Sequence, residues 1–282
     1  MRLQLKTVGP VLVLASVLAG TALVAGCVTT SGRETTASAL DGILGGNQRT
    51  AADRARDGSR HPKETLLFFG IRSQTRVLQS WPESGWYTKI IAPLVRAQGQ
   101  YYAGLMAPDP GSRFIQARLA RYRQLLASRP DLYGRVRVVT FPLDGRDVLP
   151  PGSVNLVLSF RDLHEWMALG DAPQVLMTIY RALAPGGVFG VVDNRGDPKL
   201  PQDPRAKNGY VRQDYAIRLI EAAGFRLVAT SEVNANPKDT KKYPCGVWTL
   251  APDYRLGNFD RAKYAAIGES DRFTLKFVKP GN

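Results

Sequence analysis

VNLVLSFRDLHEWM at residues 154–167, followed by VLMTIYRALAPGGVFGVVDNR at residues 175–195, fixes the architecture of this chain. The apolar runs Val154–Phe160 and Val188–Asp193 are continuous, as is typical of strands that are buried on both faces. Between them lies a segment with helical spacing, which ends at the turn Ala-Pro-Gly-Gly of residues 184–187. A strand, a helix and a second strand of this kind predict a parallel βαβ unit.

The same alternation of strands and helices continues on either side of this unit. Further strands are predicted at Arg76–Trp81, Gln100–Met106, Arg135–Phe141, Phe225–Val233 and Phe273–Val278. Helices are predicted at His61–Ile71, around Ile115–Leu126, at Asp171–Leu183 and at Val211–Ala223. The chain is therefore expected to be an α/β protein with a doubly wound, mostly parallel seven-stranded sheet and helices on both faces.

Short motifs along the chain carry a resemblance to a known family. They read FFGI, WPESGWYT, FRDLHEW, VVDNR, GYVRQDY, NANPKDTKKYPCGVWTLAP and AIGESDRFTLKF, at residues 68–71, 81–88, 160–166, 191–195, 209–215, 234–252 and 266–277. From about His61 to Lys279 the chain resembles class I S-adenosylmethionine (SAM)-dependent methyltransferases, and more narrowly a family of predicted bacterial methyltransferases. The resemblance implies a Rossmann-like methyltransferase domain over residues 61–282, SAM as the cofactor and methyl transfer as the activity.

The loop QSWPESGWYT at residues 79–88 departs from the family pattern. The resemblance to class I enzymes implies an acid and three alternating glycines, and the narrower family has Trp in place of the first glycine. This chain has Gln79 for the acid, Trp81 for the first glycine, Glu83 for the second and Gly85 for the third. Glycines in such loops allow positive φ and a close approach of the backbone to the ligand. The candidates for cofactor contact in this loop are Trp81, Pro82, Glu83 and Gly85.

Glu83 decides how that loop is interpreted. Its carboxylate would repel the carboxylate of the methionine part of SAM, although it would attract the sulfonium. A residue other than glycine also loses easy access to the left-handed backbone conformation. Two interpretations stay open: SAM binding is weakened or lost, or it is retained through an altered loop.

Two further cofactor contacts are implied by the resemblance. An acid at the end of the second strand should hold the ribose hydroxyls, but Leu105 or Ala107 stands there and Asp109 is displaced. Near the adenine, Asp144 and Asp147 are candidates, with turn residues as the alternative interpretation.

Polar side chains at the ends of the fourth and fifth strands are the catalytic candidates, because ligands of open α/β sheets bind beyond the carboxyl ends of the strands. His164 is suited to take a proton near neutral pH. Asp162 or Asp193 would orient it, and Arg195 would bind an acidic substrate. Alternatively, His164 packs after the strand, and Asp193 and Arg195 form a structural pair. The spacing of His and Cys predicts no metal site.

The segment from about 234 to 272 lies between the last two strands and is rich in Asn, Pro, Lys and Asp. Loops of this length in compact domains are usually functional or disordered. Because it matches the family closely, we expect an ordered cap over the pocket. Such a cap would bring Trp248, Lys263 and Glu269 near the substrate.

The amino terminus has the composition of a secretory signal peptide. It carries Arg2 and Lys6, followed by an apolar and small-residue run from Val8 to Gly26. The run ends in VAGC, residues 24–27, which resembles the lipobox of bacterial lipoproteins and implies acylation of Cys27, with palmitate among the acyl groups. A retained transmembrane helix is the alternative, because about 19 apolar residues can span a bilayer.

Removal of the signal peptide, residues 1–26, would leave a protein anchored through Cys27. Val28 after the cysteine resembles lipoproteins of the outer membrane. We therefore expect an exported protein, lipid-anchored in the bacterial cell envelope and facing the periplasm. Residues 27–60 lack a sustained apolar period and predict a lipidated flexible tether with a short helix near Ala51–Asp57.

Composition limits the partners. The chain has 38 Lys and Arg against 24 Asp and Glu, a net charge of +14, which suits anionic lipid or nucleic acid. No segment interleaves stacking aromatics with basic residues, so nucleic acid is not favoured. Three functions follow: a SAM-dependent methyltransferase acting on a small molecule or an envelope component, a non-catalytic binding or scaffolding lipoprotein on a degenerate methyltransferase fold, and a basic lipid-binding module.

Overall fold

The computed structural model describes residues 22–281, with side chains described from Gly32 onward. Most of the expected signal peptide lies outside the described residues. The backbone of Cys27 belongs to the first described helix, but its side chain lies outside the description. No helix between residues 22 and 281 is long and apolar enough to cross a membrane.

Within the described residues the strands form one seven-stranded sheet in the order β3-β2-β1-β4-β5-β7-β6. They are β1 Arg76–Ser80, β2 Gln100–Leu105, β3 Arg137–Thr140, β4 Val154–Phe160, β5 Leu183–Asn194, β6 Arg226–Ser231 and β7 Arg272–Val278. The pairs among the first five strands are parallel, whereas β7 runs antiparallel to both β5 and β6. This sheet confirms the predicted doubly wound α/β fold.

Helices cover the two faces of the sheet. They are α1 Ala22–Gly45, α2 Ala51–Arg54, α3 Asp57–Arg60, α4 Pro62–Phe69, α5 Thr88–Val95, α6 Arg113–Ser128, α7 Pro130–Tyr133, α8 Leu163–Leu169, α9 Ala172–Ala182, α10 Gln213–Glu221 and α11 Arg261–Ile267. Gly70 ends α4 with φ 83°, a left-handed conformation that glycine adopts without strain.

The core divides into two hydrophobic clusters, one on each face of the sheet. Because side chains alternate along a strand, Leu78 joins the cluster under α8 and α9, while its neighbour Val77 joins the cluster under α4 and α5. In β4, Val157 and Leu158 divide in the same way. The uninterrupted apolar run of β4 is therefore explained by burial on both faces.

The predicted flexible tether is wrong for residues 32–60, which form helices packed on the domain. Leu40 is fully buried, and Ile43 and Leu44 pack against the same cluster. Arg49 is 1% exposed and forms an ion pair of 2.5 Å with Asp57. The spacing of the three apolar residues is that of one helical face, a period too short to be recognised in a Thr- and Ser-rich segment.

The insertion between β6 and β7 is folded rather than open. It contains a 3-10 turn at Gly246–Thr249 and the helix α11. The buried side chain of Asn234 donates to Thr65 and Thr274, at 3.0 and 2.9 Å. These bonds fix the start of the insertion to α4 and β7.

Candidate functional site

The loop after β1 has left-handed backbone angles at the positions where a glycine-rich loop has glycines, although most of its residues there are not glycine. Trp81 has φ 33°, Glu83 has φ 50° and Gly85 has φ 76°. A left-handed conformation costs a residue other than glycine about 1–2 kcal/mol. Glu83 nevertheless adopts this conformation, so the surrounding structure imposes it against the cost that is expected for a residue other than glycine.

A large, mostly apolar cavity of about 810 Å³ opens at the carboxyl ends of β2 and β3. Its volume falls within the range of about 300–1,000 Å³ that is usual for small-molecule sites. Aromatic rings form much of its wall: Trp81, Phe114, Phe141 and Trp248. Its polar groups include Asp109, Asp144, Arg146, Glu165 and Arg255.

A smaller cavity of about 180 Å³ lies on the other side of Trp81, at the carboxyl ends of β1 and β4. Three arginines line it, Arg56, Arg60 and Arg161, together with Glu83 and Asp253. We call it the arginine cavity, and the first one the apolar cavity. The two differ in the charge of the ligand that each would accept.

Trp81 lies between the two cavities, and Glu83 lines the arginine cavity beside it. The Trp81 ring is 5% exposed, packs edge-on against Trp166 at 6.2 Å between centroids, and lines both cavities. Arg118 of α6 donates to Glu83 at 2.9 Å, and the Arg161 guanidinium lies 4.0 Å from the other carboxylate oxygen. Burial raises the pKa of Glu83, but the charges of Arg161 and Arg118 outweigh it and the net pKa is lowered.

Arg161 is a functional candidate that the sequence did not reveal. It follows β4 with φ 68°, and its backbone N–H donates to Val192 at 2.8 Å. Its guanidinium makes no hydrogen bond to any described residue and lines the arginine cavity. A strained backbone that presents unused donors to a cavity is typical of a binding residue.

Glu269 holds the arginines beneath that cavity. Its carboxylate accepts hydrogen bonds from Arg56, Arg60 and Arg272 at 2.7, 2.9 and 2.8 Å. Burial opposes its ionisation, but Arg272, Arg60 and Arg56 lower the pKa of Glu269 to about 2. Burial lowers the pKa of Arg60 to about 9. Arg56 also keeps a buried Nη2 without a hydrogen-bond partner among the described residues. The Glu269 carboxylate therefore does not accept from every donor of the arginines around it.

His164 and Asp193 form a buried pair after β4 and β5. His164 Nδ1 lies 2.8 Å from Asp193 Oδ1, and the His164 backbone N–H donates to Asp193 Oδ2 at 3.1 Å. Burial lowers the pKa of His164, but Asp193 outweighs this effect and the net pKa is raised. The imidazole packs against Trp248 at 6.1 Å between centroids and lines neither cavity.

Solved structures with the same architecture identify the fold. No family model and no curated protein matches the chain. The structure of a SAM-dependent methyltransferase from Aquifex aeolicus is 16% identical and covers 80% of this chain and 93% of its own, with a TM-score of 0.53. The [4+2]-cyclase SpnF is 15% identical and covers 90% and 97%, with a TM-score of 0.59. The chain has the class I methyltransferase fold.

In this methyltransferase fold, the catalytic candidates are separated. Asp193 orients His164, whereas Asp162 points back to the sheet and accepts hydrogen bonds from Ser80 at 2.5 Å and Ser159 at 3.2 Å. Burial raises the pKa of Asp162 well above its usual range. Asp162 is therefore not the residue that orients His164.

Arg195 does not reach either cavity. Its Nη2 lies 2.6 Å from Glu232, and its Nε lies 4.0 Å from Asp271. The same Nη2 donates to the Arg272 carbonyl at 3.2 Å. These contacts hold Arg195 at the start of the cap, and its contact with an acidic substrate stays a prediction. The expected alternative partner, Asp193, is engaged with His164 instead.

The methyltransferase fold places two of the three predicted cofactor acids, Asp109 and Asp144, at the apolar cavity. β2 ends at Leu105, and Asp109 lies in the following turn, where it accepts from the Gly111 N–H at 2.8 Å. Asp144 accepts from Arg146 Nε at 2.7 Å and lines the cavity. Asp147 pairs with Arg181 at 2.5 Å, outside the cavity lining.

Gln79 has a structural role, and the predicted residues of the cap lie in different environments. Gln79 is 3% exposed and accepts from the Tyr101 hydroxyl at 2.7 Å, so it holds β1 against β2. In the cap, Trp248 lines the apolar cavity, Glu269 binds the arginines and Lys263 stays at the surface near Asp260. Among residues 22–281, no group of three or more His, Cys, Asp or Glu side chains is placed to hold a metal ion.

Proposed function

We propose that this protein is a lipid-anchored methyltransferase of the bacterial cell envelope that binds SAM across both cavities. The backbone of the β1 loop is the observation that carries the proposal. Trp81 and Glu83 keep left-handed φ values of 33° and 50°, and strain of this kind persists where a structure over-determines a functional site. The ordered series of family motifs supports the same activity.

The charges around the cavities suit the parts of SAM. The apolar cavity would take the adenosine portion, with Asp109 and Asp144 beside it. The arginine cavity would take the methionine carboxylate, because Arg161 has unused donors there and arginine forms strong paired hydrogen bonds with carboxylates. Glu83, which lines the arginine cavity next to Trp81, would face the sulfonium. When bound, SAM supplies an electrophilic methyl group.

Glu165 is the side chain best placed to accept a proton from a methyl acceptor. It lines the apolar cavity, whereas His164 does not. Burial is the main cause that raises the pKa of Glu165, and a raised pKa makes a carboxylate a better proton acceptor. His164, paired with Asp193 at 2.8 Å, would then position the turn that carries Glu165.

A second candidate function is ligand binding without methyl transfer. The observation that favours it is Glu83, which lines the arginine cavity and stands where the family resemblance implies a glycine. One fold also hosts unrelated activities, and the similar structure of SpnF is that of a [4+2]-cyclase. Such a protein would bind a ligand in one cavity and consume no SAM.

The membrane anchor is proposed from the VAGC sequence at residues 24–27. Two acyl chains suffice for stable anchoring, since each buried CH2 contributes about 0.8 kcal/mol. The variant Cys27→Ala should move the protein from the membrane fraction to the soluble fraction of the envelope. A variant that stays with the membrane would contradict acylation of Cys27.

Calorimetry with SAM and S-adenosylhomocysteine tests cofactor binding. The mature chain from residue 27, with Cys27→Ser, is the material, because both hydrophobic clusters are built from Leu40 onward. Micromolar binding of both ligands is the expected result. Binding without methyl transfer to any component of an envelope extract favours the second candidate. Absence of binding at millimolar ligand would sink the SAM proposal.

The variant Arg161→Met tests whether the methionine carboxylate of SAM binds in the arginine cavity. We expect it to weaken the binding of S-adenosylhomocysteine about 10- to 100-fold, which is the contribution of a charged hydrogen bond. It should leave the binding of 5′-methylthioadenosine unchanged, because this ligand lacks the amino-acid part. Arg121→Met, on the exposed face of α6, is the matched control. Equal losses for both ligands would place the carboxylate elsewhere.

A further inference from the structure

A separate groove of about 550 Å³ lies where α1, α4, β6 and β7 meet. Its floor includes Leu67, Phe68 and Ile71, and its cations are Arg33, Arg72 and Lys276. None of these residues lines the apolar or the arginine cavity. We call this feature the basic groove, and it is independent of the proposed methyltransferase site.

The three cations of the basic groove have no acidic partner. Among the described residues, Arg33, Arg72 and Lys276 form no ion pair and no side-chain hydrogen bond. By contrast, Lys63 and Lys89, on nearby helices, are paired with Asp41 and Asp53 at 2.6 and 2.7 Å. Burial, together with the charge of Arg33, lowers the pKa of Lys276. Cations that converge without a counterion attract an anion.

The backbone brings the cations to one place. A Cβ built on Gly32 of α1 would lie 3.7 Å from Arg72 Nη1, and one built on Gly70 would lie 3.7 Å from Lys276 Nζ. These distances place Arg72 beside α1 and Lys276 beside the end of α4. Phe68 supplies an aromatic surface next to them and packs on Phe69 at 5.4 Å between centroids.

We propose that the basic groove binds an anionic phospholipid, with the phosphate between Arg33, Arg72 and Lys276 and the first methylenes of the lipid on Phe68. Anion binding alone would need only the cations. The apolar floor adds a surface for the hydrocarbon next to the headgroup, which makes the groove complementary to an amphiphile rather than to a free anion.

The position of the groove fits a protein held at a membrane. Arg33 lies six residues after Cys27 in the same helix, about 9 Å along its axis. Acylation of Cys27, which belongs to the proposed function, would bring the groove to the lipid surface. The affinity of the groove for lipid does not depend on that anchor.

Vesicle co-sedimentation tests the groove. The mature chain with Cys27→Ser has no acyl anchor, so binding measures the protein surface alone. We expect binding to vesicles of phosphatidylcholine mixed with phosphatidylglycerol, and little binding to phosphatidylcholine alone. Each cation near an anionic membrane contributes about 1 kcal/mol, so Arg72→Gln/Lys276→Gln should weaken binding about 30-fold.

The matched control is Arg121→Gln/Arg123→Gln, which removes the same charge from the exposed face of α6. It should weaken binding by less than about threefold. Equal losses of binding in the two double variants would overturn the proposal, because total charge would then explain the binding. A groove variant that binds vesicles as well as the parent would also overturn it. Displacement by millimolar inorganic phosphate at constant ionic strength would assign the groove to a free anion and also overturn it. None of these outcomes depends on SAM.

Discussion

The apolar cavity and the arginine cavity lie side by side at one end of the sheet, but the chain builds them differently. The apolar cavity is formed largely by the ends of β2 and β3 and by α8, whereas the crevice that a doubly wound sheet leaves where its strand order reverses lies between β1 and β4, at the arginine cavity. The arginine cavity needs residues 56–60 and Glu269, which are more than 200 positions apart. The position of the arginine cavity is therefore a property of the fold, whereas its charge depends on a long-range cluster.

The strongest test of this difference is Glu269→Gln. It leaves Arg56, Arg60 and Arg272 buried without their shared carboxylate, so we expect the free energy of unfolding to fall by about 3–5 kcal/mol. Urea denaturation at neutral pH measures it. Because the pKa of Glu269 is lowered to about 2 from 4.5, its stabilisation is present above pH 4.5 and is lost as the pH falls toward 2. The variant should lack that acid dependence.

Asp131→Asn is the control for that experiment. Asp131 pairs with Arg129 at 2.7 Å, but both side chains are exposed, and exposed pairs contribute little. An unchanged urea midpoint is expected. A Glu269→Gln protein as stable as the parent would show that the arginines do not need the carboxylate.

Trp81→Gly should widen the opening between the two cavities. Loss of a buried Trp costs about 3–5 kcal/mol, and relief of the positive φ returns about 1–2 kcal/mol, so we expect a net loss of about 1–4 kcal/mol. Trp166→Gly removes a ring from the same cluster but relieves no strain, because Trp166 lies in α8. It should cost more. The reverse order would mean that Trp81 is not strained.

The His164–Asp193 pair predicts that the stability of the fold falls as the pH rises above 6.5. The folded-state pKa of His164 is raised above 6.5, so its stabilisation is complete below pH 6.5 and is lost as the pH rises through the folded pKa. A charged hydrogen bond of this kind contributes about 2 kcal/mol. Urea midpoints from pH 6 to 9 should fall for the parent and stay level for His164→Asn. Parallel curves would show that another group titrates.

Glu83→Gly should have the smallest effect on stability and an opposite sign. It relieves φ of 50° at Glu83, so we expect a gain of up to about 1 kcal/mol. Ser84→Gly, at a neighbour without positive φ, should destabilise slightly by freeing the unfolded chain. Glu83→Gly also removes the bond to Arg118. Thermal unfolding of the two variants should therefore move in opposite directions.

Sequence patterns located the sheet because its strands are short apolar runs, each of which is recognisable by itself. β4 was predicted at its observed bounds, Val154–Phe160, and the other strand cores were found within a few residues. The site was predicted less well. His164 and Asp193 were expected to meet because both lie at the carboxyl ends of neighbouring strands, and they do. Arg195 instead pairs with Glu232, and Asp162 accepts a hydrogen bond from Ser80.

Local sequence was enough to specify the α/β alternation, the glycine-poor loop at Trp81–Gly85 and the candidate anchor at Cys27, because each depends on neighbouring residues. Folding alone decided that Glu83 adopts a glycine-like backbone, that residues 32–60 pack on the domain and that Arg161 faces a cavity. These outcomes depend on contacts between segments far apart in the chain. Such contacts outweigh local preferences of about 1–2 kcal/mol, and no short pattern records them.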